Sequence, residues 1–287
     1  MKERAERPRG VAVGVDLGAT LAKLAIGVEG APRALETFPA GALAELVARI
    51  ESTGCARAGL TGGGAPELAA ALTCESLHVG EFEAWGRGAR SLLSGEAARE
   101  AGARYLLVSL GTGCSALLVE ESRVTRVGGT ALGGGTALAL GAALAGTGSF
   151  EELCALARRG DRRRVDLCVA DIYRSSPPPL PGDVSAACLA KLGRPGAPAA
   201  DPPDVAHAVM GLVGENAALI CGHLARLAGV DCVVYGGSTL QGNPVLVDVL
   251  RLATAAVGRR ALFLEHGGHT GALGALELAR SGRGDVG

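Results

Sequence analysis

Two stretches of this sequence carry residues whose types and spacing suit phosphate chemistry. Asp16-Leu17-Gly18-Ala19-Thr20 lies between apolar runs at 11–15 and 21–26, the second of them broken by Lys23. Gly111-Thr112-Gly113 lies likewise between apolar runs at 105–110 and 116–119, and the segment continues through Arg126-Val127-Gly128-Gly129 to Gly133-Gly134-Gly135. Strand, glycine turn, strand is a hairpin pattern. Glycines let backbone N–H groups close on an anion with no Cβ in the way. Two such hairpins facing each other would form a cleft for a magnesium nucleotide, with Asp16 at the mouth of one turn to hold the metal or its waters. Thr112 offers hydroxyl and amide to a phosphate. Residues 134–138 (Gly134, Gly135, Thr136, Ala137, Leu138) open a helix, whose N-terminus attracts one. Neither a G-x-G-x-x-G fingerprint opening a helix nor a G-K-[ST] loop occurs.

Each candidate also has a plain reading, because 45 of the 287 residues are glycine and chance clusters are expected. Glu81 follows a short strand pattern at 77–79, where a carboxylate could accept the proton of an attacking hydroxyl. An ordinary loop glutamate fits that position too, and Glu83 competes with it. Arg126 could stabilise a transferring phosphoryl group or clamp a carboxylate, or be a surface arginine near Arg123. Asp16 could be a turn aspartate, common before glycine, and Lys23 a solvated strand residue.

The elements that would position these groups alternate throughout. Helical spacing appears at 41–50, 65–71, 137–144, 150–159, 205–228, 243–256 and 271–281, and residues 84–93 and 96–102 read as one broken helix. Ser149 with Glu152 forms a capping-box pattern. Short strands are expected at 58–60, 77–79, 232–235 and 261–264. Residues 175–182 read as a rigid extended loop, and 193–203 as a mobile insert. The pattern suggests two mixed α/β lobes, although no sequence repeat establishes a duplication. The net charge of −1 gives no pointer to nucleic acid or acidic membranes, and no apolar run reaches 18 residues. The eight cysteines have neither C-x-x-C nor zinc spacing and read as reduced, mostly buried thiols. With no signal-peptide pattern before Val11, a cytoplasmic protein is expected.

DLGATLAK, LTGGGA at 60–65, EFEAWGRG at 81–88, SLGTGCS, RVGGTALGGGT, GDRRRVDLCVADIY at 160–173, PGD at 181–183, VYGGST and LEHGGHTGALGAL together resemble the type II pantothenate kinases, from about residue 11 to 279. The resemblance implies a two-lobed ribonuclease H-like (actin-like ATPase) α/β fold with mixed sheets and a nucleotide cleft between the lobes. It implies a frayed terminus at 1–10, a nucleotide-binding lobe at 11–102, a lobe with substrate and dimer elements at 103–268, and a C-terminal helix packing back near the first lobe, with a tail, at 269–287. It implies ATP and Mg2+ as cofactors and pantothenate as the small-molecule substrate, phosphorylated on its primary hydroxyl in the first step toward coenzyme A. It further implies a homodimer, with residues 205–228 as an interface helix.

Residue by residue, the resemblance makes Glu81 the proton acceptor and Arg126 the active-site arginine. Asp16, Leu17, Gly18, Ala19, Thr20, Leu21, Ala22 and Lys23 become the nucleotide loop, and Phe150 and Ser238 positions near the nucleotide. Ala19 departs from the second glycine often found in the family, and Cys114 from the usual Thr or Ser. By family spacing an aromatic pocket wall supplied by the partner subunit falls near Ala253, on a helix with no aromatic residue. Three rival readings stand beside this one: a related kinase of another alcohol or sugar, an ATP-driven activator without kinase activity, and a pseudokinase that binds nucleotide and only regulates, against which Glu81 and Arg126 together speak.

Overall fold

The computed structural model describes residues 10–27, 34–177, 181–196 and 199–281. In the first lobe β1 (Ala12–Leu17) is the central strand. Strands β2 (Leu21–Gly27) and β3 (Ala34–Pro39) run antiparallel on one side, and β4 (Arg57–Thr61) and β5 (Glu75–His78) run parallel on the other. Helices α1 (Leu43–Ser52) and α2 (Ala65–Ala71) flank this sheet, and α3 (Glu81–Leu92) and α4 (Gly95–Ala101) lead to the second lobe.

The second lobe opens with the antiparallel strands β6 (Tyr105–Leu110), β7 (Cys114–Val119) and β8 (Val124–Thr130). Next come α5 (Gly134–Leu140), continued by a π-helical turn at Gly141–Ala145, and α6 (Phe150–Ala157). A side ribbon of β9 (Leu167–Cys168) and β10 (Ser185–Ala187) brackets α7 (Val169–Ile172). The long α8 (Pro202–Leu227), β11 (Cys232–Gly236), α9 (Pro244–Ala256), β12 (Arg260–Phe263) and α10 (Thr270–Ser281) complete the chain. Strands β11 and β12 join β6 in parallel, giving the order β12-β11-β6-β7-β8. The two sheets therefore share one plan, a three-stranded meander followed by two parallel strands. The duplication that no sequence repeat establishes is plain in topology.

Helix α10 does not pack on its own lobe's sheet. It lies on β1 and β4, at Gly14 and Gly59, where any Cβ would overlap the carbonyl oxygens of Ala272 and Ala275. On its other side the backbones of α3 and α10 meet at Gly88 and Gly274, where a Cβ would strike the Thr270 and Ala84 carbonyls. Glycine is required there for close approach, not for an unusual φ. The stack β1–α10–α3 fixes the start of α3 relative to the end of β1.

The second core surrounds α8, whose Val205, Val209, Met210, Val213 and Cys221 are fully or almost fully buried. Helix α8 is long and apolar enough to cross a membrane, yet 67% of its most apolar stretch is buried inside the protein. It is the core helix of this lobe.

Several local expectations change. The broken helix at 84–102 is two helices, and α3 begins at Glu81 itself. Strand β3 was not expected, because at the sheet edge only Phe38 is buried and the alternation is weak. The glycine run at Arg126 is part of strand β8, with a bulge opposite Ala116 and Leu117. Half of the capping box forms: Ser149 Oγ accepts from Glu152 N, while the Glu152 carboxylate accepts from Thr147 Oγ1 at 2.7 Å. Of the 193–203 insert, Pro202 and Pro203 open α8 instead, at first-turn positions where the missing N–H costs nothing. Residues 1–9, 178–180, 197–198 and 282–287, which include nearly all of the expected frayed terminus, the tail and parts of both loops, lie outside the described residues.

Candidate active site

A cavity of about 860 Å³ lies between the two sheets. Its floor comes from β1, β2 and α3. Asp16 and Lys23 are direct partners across the β1–β2 pair, so their side chains share a face. Asp16 is 6% exposed. Burial raises its carboxyl above the ordinary range, against the charge of Lys23; the charge of Glu81 adds to the rise, and a hydrogen bond from the Trp85 indole opposes it. Glu81 and Trp85 sit one turn apart on α3 and both line the cavity. Glu81 occupies the first helical turn, where the unpaired N–H groups favour an anion. Glu83 does not line the cavity.

The roof comes from the second lobe. The turn Gly111–Gly113 is braced from two sides. Gly134 N donates to Gly111 O at 2.8 Å and Gly135 N to Thr112 O at 3.0 Å, and Thr239 Oγ1 donates to Gly111 O at 2.8 Å. The two glycine amides expected to bind phosphate at the start of α5 thus hold the Gly-Thr-Gly turn in place. At the tips, Thr20 Oγ1 and Thr112 Oγ1 meet at 3.1 Å.

The structure brings Asp16, Gly18, Ala19, Thr20, Leu21, Lys23, Glu81, Thr112, Gly134, Gly135, Leu138, Phe150 and Ser238 to this one cavity. Leu17, Ala22 and Ala137 point away into the lobe cores, and Thr136 Oγ1 is turned to Ala131 O at 3.0 Å. These four can meet a nucleotide only through their backbones. Arg126 is exposed on β8 and does not line the cavity; its guanidinium lies beside Gly129, next to the Cys114 end of β7. Ala253 is partly buried against the core of its own lobe.

Sequence reasoning missed one wall. Glu151, Cys154, Ala155 and Arg158 line the cavity from the α6 end, at i, i+3, i+4, i+7 spacing. That periodicity was a readable signal of one helix face. Arg158 Nη2 closes this wall by donating to Gly242 O at 2.7 Å. Trp85 enters the sequence reading only within the EFEAWGRG motif, and its bond to Asp16 carried no sequence signal.

The family model described as Fumble matches residues 91–277. A type II pantothenate kinase from Staphylococcus haemolyticus is 32% identical over 269 residues, covering 93% of this chain and 99% of the relative. The chain belongs to the type II pantothenate kinase family. Among solved structures, component A of the Acidaminococcus fermentans (R)-2-hydroxyglutaryl-CoA dehydratase superposes with a TM-score of 0.66 at 18% identity, covering 95% of this chain and 98% of that one. A ROK family glucokinase from Streptomyces griseus, in complex with glucose and AMPPNP, gives 0.59 at 14% identity, covering 95% and 100%. At such identities the likeness is one of fold, and it agrees with the two-lobed actin-like plan. In this member of the pantothenate kinase family, the floor carboxylates Asp16 and Glu81 and the braced turn meet at one cavity.

Proposed function

We propose that this chain is a pantothenate kinase that transfers the γ-phosphoryl group of ATP to the primary hydroxyl of pantothenate, the first step toward coenzyme A. The observation that carries this reading is the single cavity in which two glycine hairpins of a family member face each other above Glu81 and Asp16. Glu81 accepts the hydroxyl proton as the bond to phosphorus forms. The turn Gly111–Gly113 and Lys23 hold and neutralise the phosphates, and Arg126, outside the cavity wall beside Gly129, takes the carboxylate of the substrate. Phe150 and Ser238 flank the nucleotide.

The donor set suits Mg2+, a hard cation held through one or two carboxylates and substrate phosphates while keeping several waters. Asp16 supplies a buried carboxylate directed into the cavity, and no group of three or more metal-ligating side chains occurs among the described residues. Asp16 would hold the ion, which would neutralise charge on the phosphate oxygens. A cytoplasmic homodimer, with no nucleic-acid or membrane partner, completes the proposal. The exposed Leu219, Ile220 and Leu227 of α8 suit such an interface.

A coupled ADP-release assay across pantothenate, pantetheine and hexoses tests the reading. Release dependent on pantothenate is expected. Release with hexose alone would assign the site to the rival sugar-kinase reading, and ATP hydrolysis indifferent to any alcohol to the activator reading.

A further inference from the structure

Two of the cysteines face each other at the roof of the cavity. Cys114 is the first residue of β7, directly after the Gly111–Gly113 turn, and it lines the cavity. Cys221 lies on α8 and is fully buried. Their sulfurs are 4.0 Å apart. A disulfide needs about 2.05 Å, so closure requires an approach of about 2 Å.

The structure also says which sulfur would react first. The hydrogen bond with the Cys221 thiol, aided by a backbone bond at Thr130 and the charge of Arg126, holds the Cys114 thiol below its ordinary range against the effect of burial. The Cys221 thiol is displaced upward by the same contact and by burial. The other cavity cysteine, Cys154, is pushed up to about 11 by burial. A thiolate is the reactive form, so the cavity presents one oxidant-sensitive sulfur with a resolving sulfur behind it.

We propose that Cys114 and Cys221 form a redox modification site whose oxidation by a small peroxide disables the phosphate turn. The step balances without another reactant. The Cys114 thiolate attacks one oxygen of hydrogen peroxide and the O–O bond breaks. The leaving hydroxide takes a proton to become water, which leaves Cys114 as the sulfenic acid. The Cys221 sulfur then attacks the Cys114 sulfur, the S–O bond breaks, and a second water leaves with the Cys221 proton. Two thiols lose two electrons, and one peroxide gains them.

Closure moves the turn, because α8 cannot follow. Helix α8 runs through the second core, and Gly128 and Gly214 bring it close against β8 and α9, where a Cβ would meet Leu224 and Val249. The start of β7 must yield instead, and with it the turn whose position Gly134, Gly135 and Thr239 set. The Cys55–Cys74 pair, 3.8 Å apart, lines no part of the cavity and serves as an internal comparison.

This inference rests on the nucleotide reading of the cavity. The test therefore first measures the reduced protein, by binding of a fluorescent ATP analogue and by ADP release with pantothenate. A protein that binds the analogue but ignores pantothenate would overturn the substrate reading and leave the redox test intact. The protein is then treated with hydrogen peroxide, with and without ATP, and digested for mass spectrometry. We expect a Cys114–Cys221 cross-link, slowed by ATP, with analogue affinity lowered at least tenfold and restored by dithiothreitol. In Cys221→Ser, which keeps a hydrogen-bonding group and removes the sulfur, the cross-link should vanish and a dimedone adduct at Cys114 should take its place. Cys55→Ser should change neither readout. Peroxide treatment that leaves Cys114 and Cys221 uncross-linked would overturn the proposal. So would a cross-linked protein that binds the analogue as the reduced one does.

Discussion

The hydroxyls of Thr20 and Thr112 lie 3.1 Å apart, so equivalent turns of the two duplicated sheets touch across the cavity. Each turn follows the central strand of its sheet. The strands differ at their fifth residue, which is Asp16 in β1 and Ser109 in β6. One half of the duplication carries the carboxylate, and the other carries the braced turn.

Replacing Thr112 with valine keeps the shape and removes the hydroxyl. A hydrogen bond to a charged group contributes about 1.5–3 kcal/mol, so the KM for ATP should rise roughly 10- to 100-fold. Thr112→Ser should stay near wild type. Steady-state kinetics at saturating pantothenate decide this, and an unchanged KM in the valine variant would mean that the hydroxyl meets no phosphate.

Glu81→Gln should lower turnover at least ~100-fold, the scale of a lost general base, with ATP-analogue affinity nearly intact. Glu83→Gln should have little effect, since Glu83 lies off the cavity. Turnover near wild type in Glu81→Gln would remove Glu81 from the proton transfer.

Arg126→Ala should lower kcat/KM for pantothenate by up to about 100-fold, the scale of a lost hydrogen bond to a charged group. Binding of an ATP analogue should change far less, because Arg126 stands beside Gly129 and not on the cavity wall. Equal losses in both measurements would assign the guanidinium to the nucleotide or to the fold.

A pH effect follows from His269. Its Nε2 lies 3.1 Å from Glu36 O and 3.2 Å from Thr37 Oγ1, and Nδ1 is buried with no partner among the described residues. Burial lowers its pKa from 6.5, and the charges of Lys23 and His266 add to the shift. The unfolded chain therefore takes up this proton at a higher pH than the folded one. The stability from neutral His269 is present in full above 6.5 and is lost as pH falls through the folded value. Melting temperatures measured from pH 7.5 down to 5.5 should fall more steeply for wild type than for His269→Gln. Parallel curves would count against this role.

The sequence disclosed what local pattern controls. Both hairpins, the glycine turns and Glu81 at the edge of the cavity were legible from alternation and turn chemistry, and the family motifs tied them together. Leu17 and Ala22 were grouped with the nucleotide loop by contiguity, although the two-residue period of a strand already turns them inward. Strand β8 escaped notice because two glycines and an arginine weaken its propensity while its pairing with β7 holds it. The bond from Trp85 to Asp16 could not be read at all. It depends on α10, nearly two hundred residues further along, to bring α3 against β1.

Helix α10 also orders events during synthesis. While residues 105–263 emerge, the first sheet waits with one face bare. That face carries Ala12, Gly14, Ala25 and Gly59 beside Leu35, an apolar surface that α10 comes to cover. A ribosome that stalls before residue 270 would release a chain with all the strands of its second sheet but nothing seating Glu81 beside Asp16. Such a fragment would carry the Gly111–Gly113 turn without the floor that faces it.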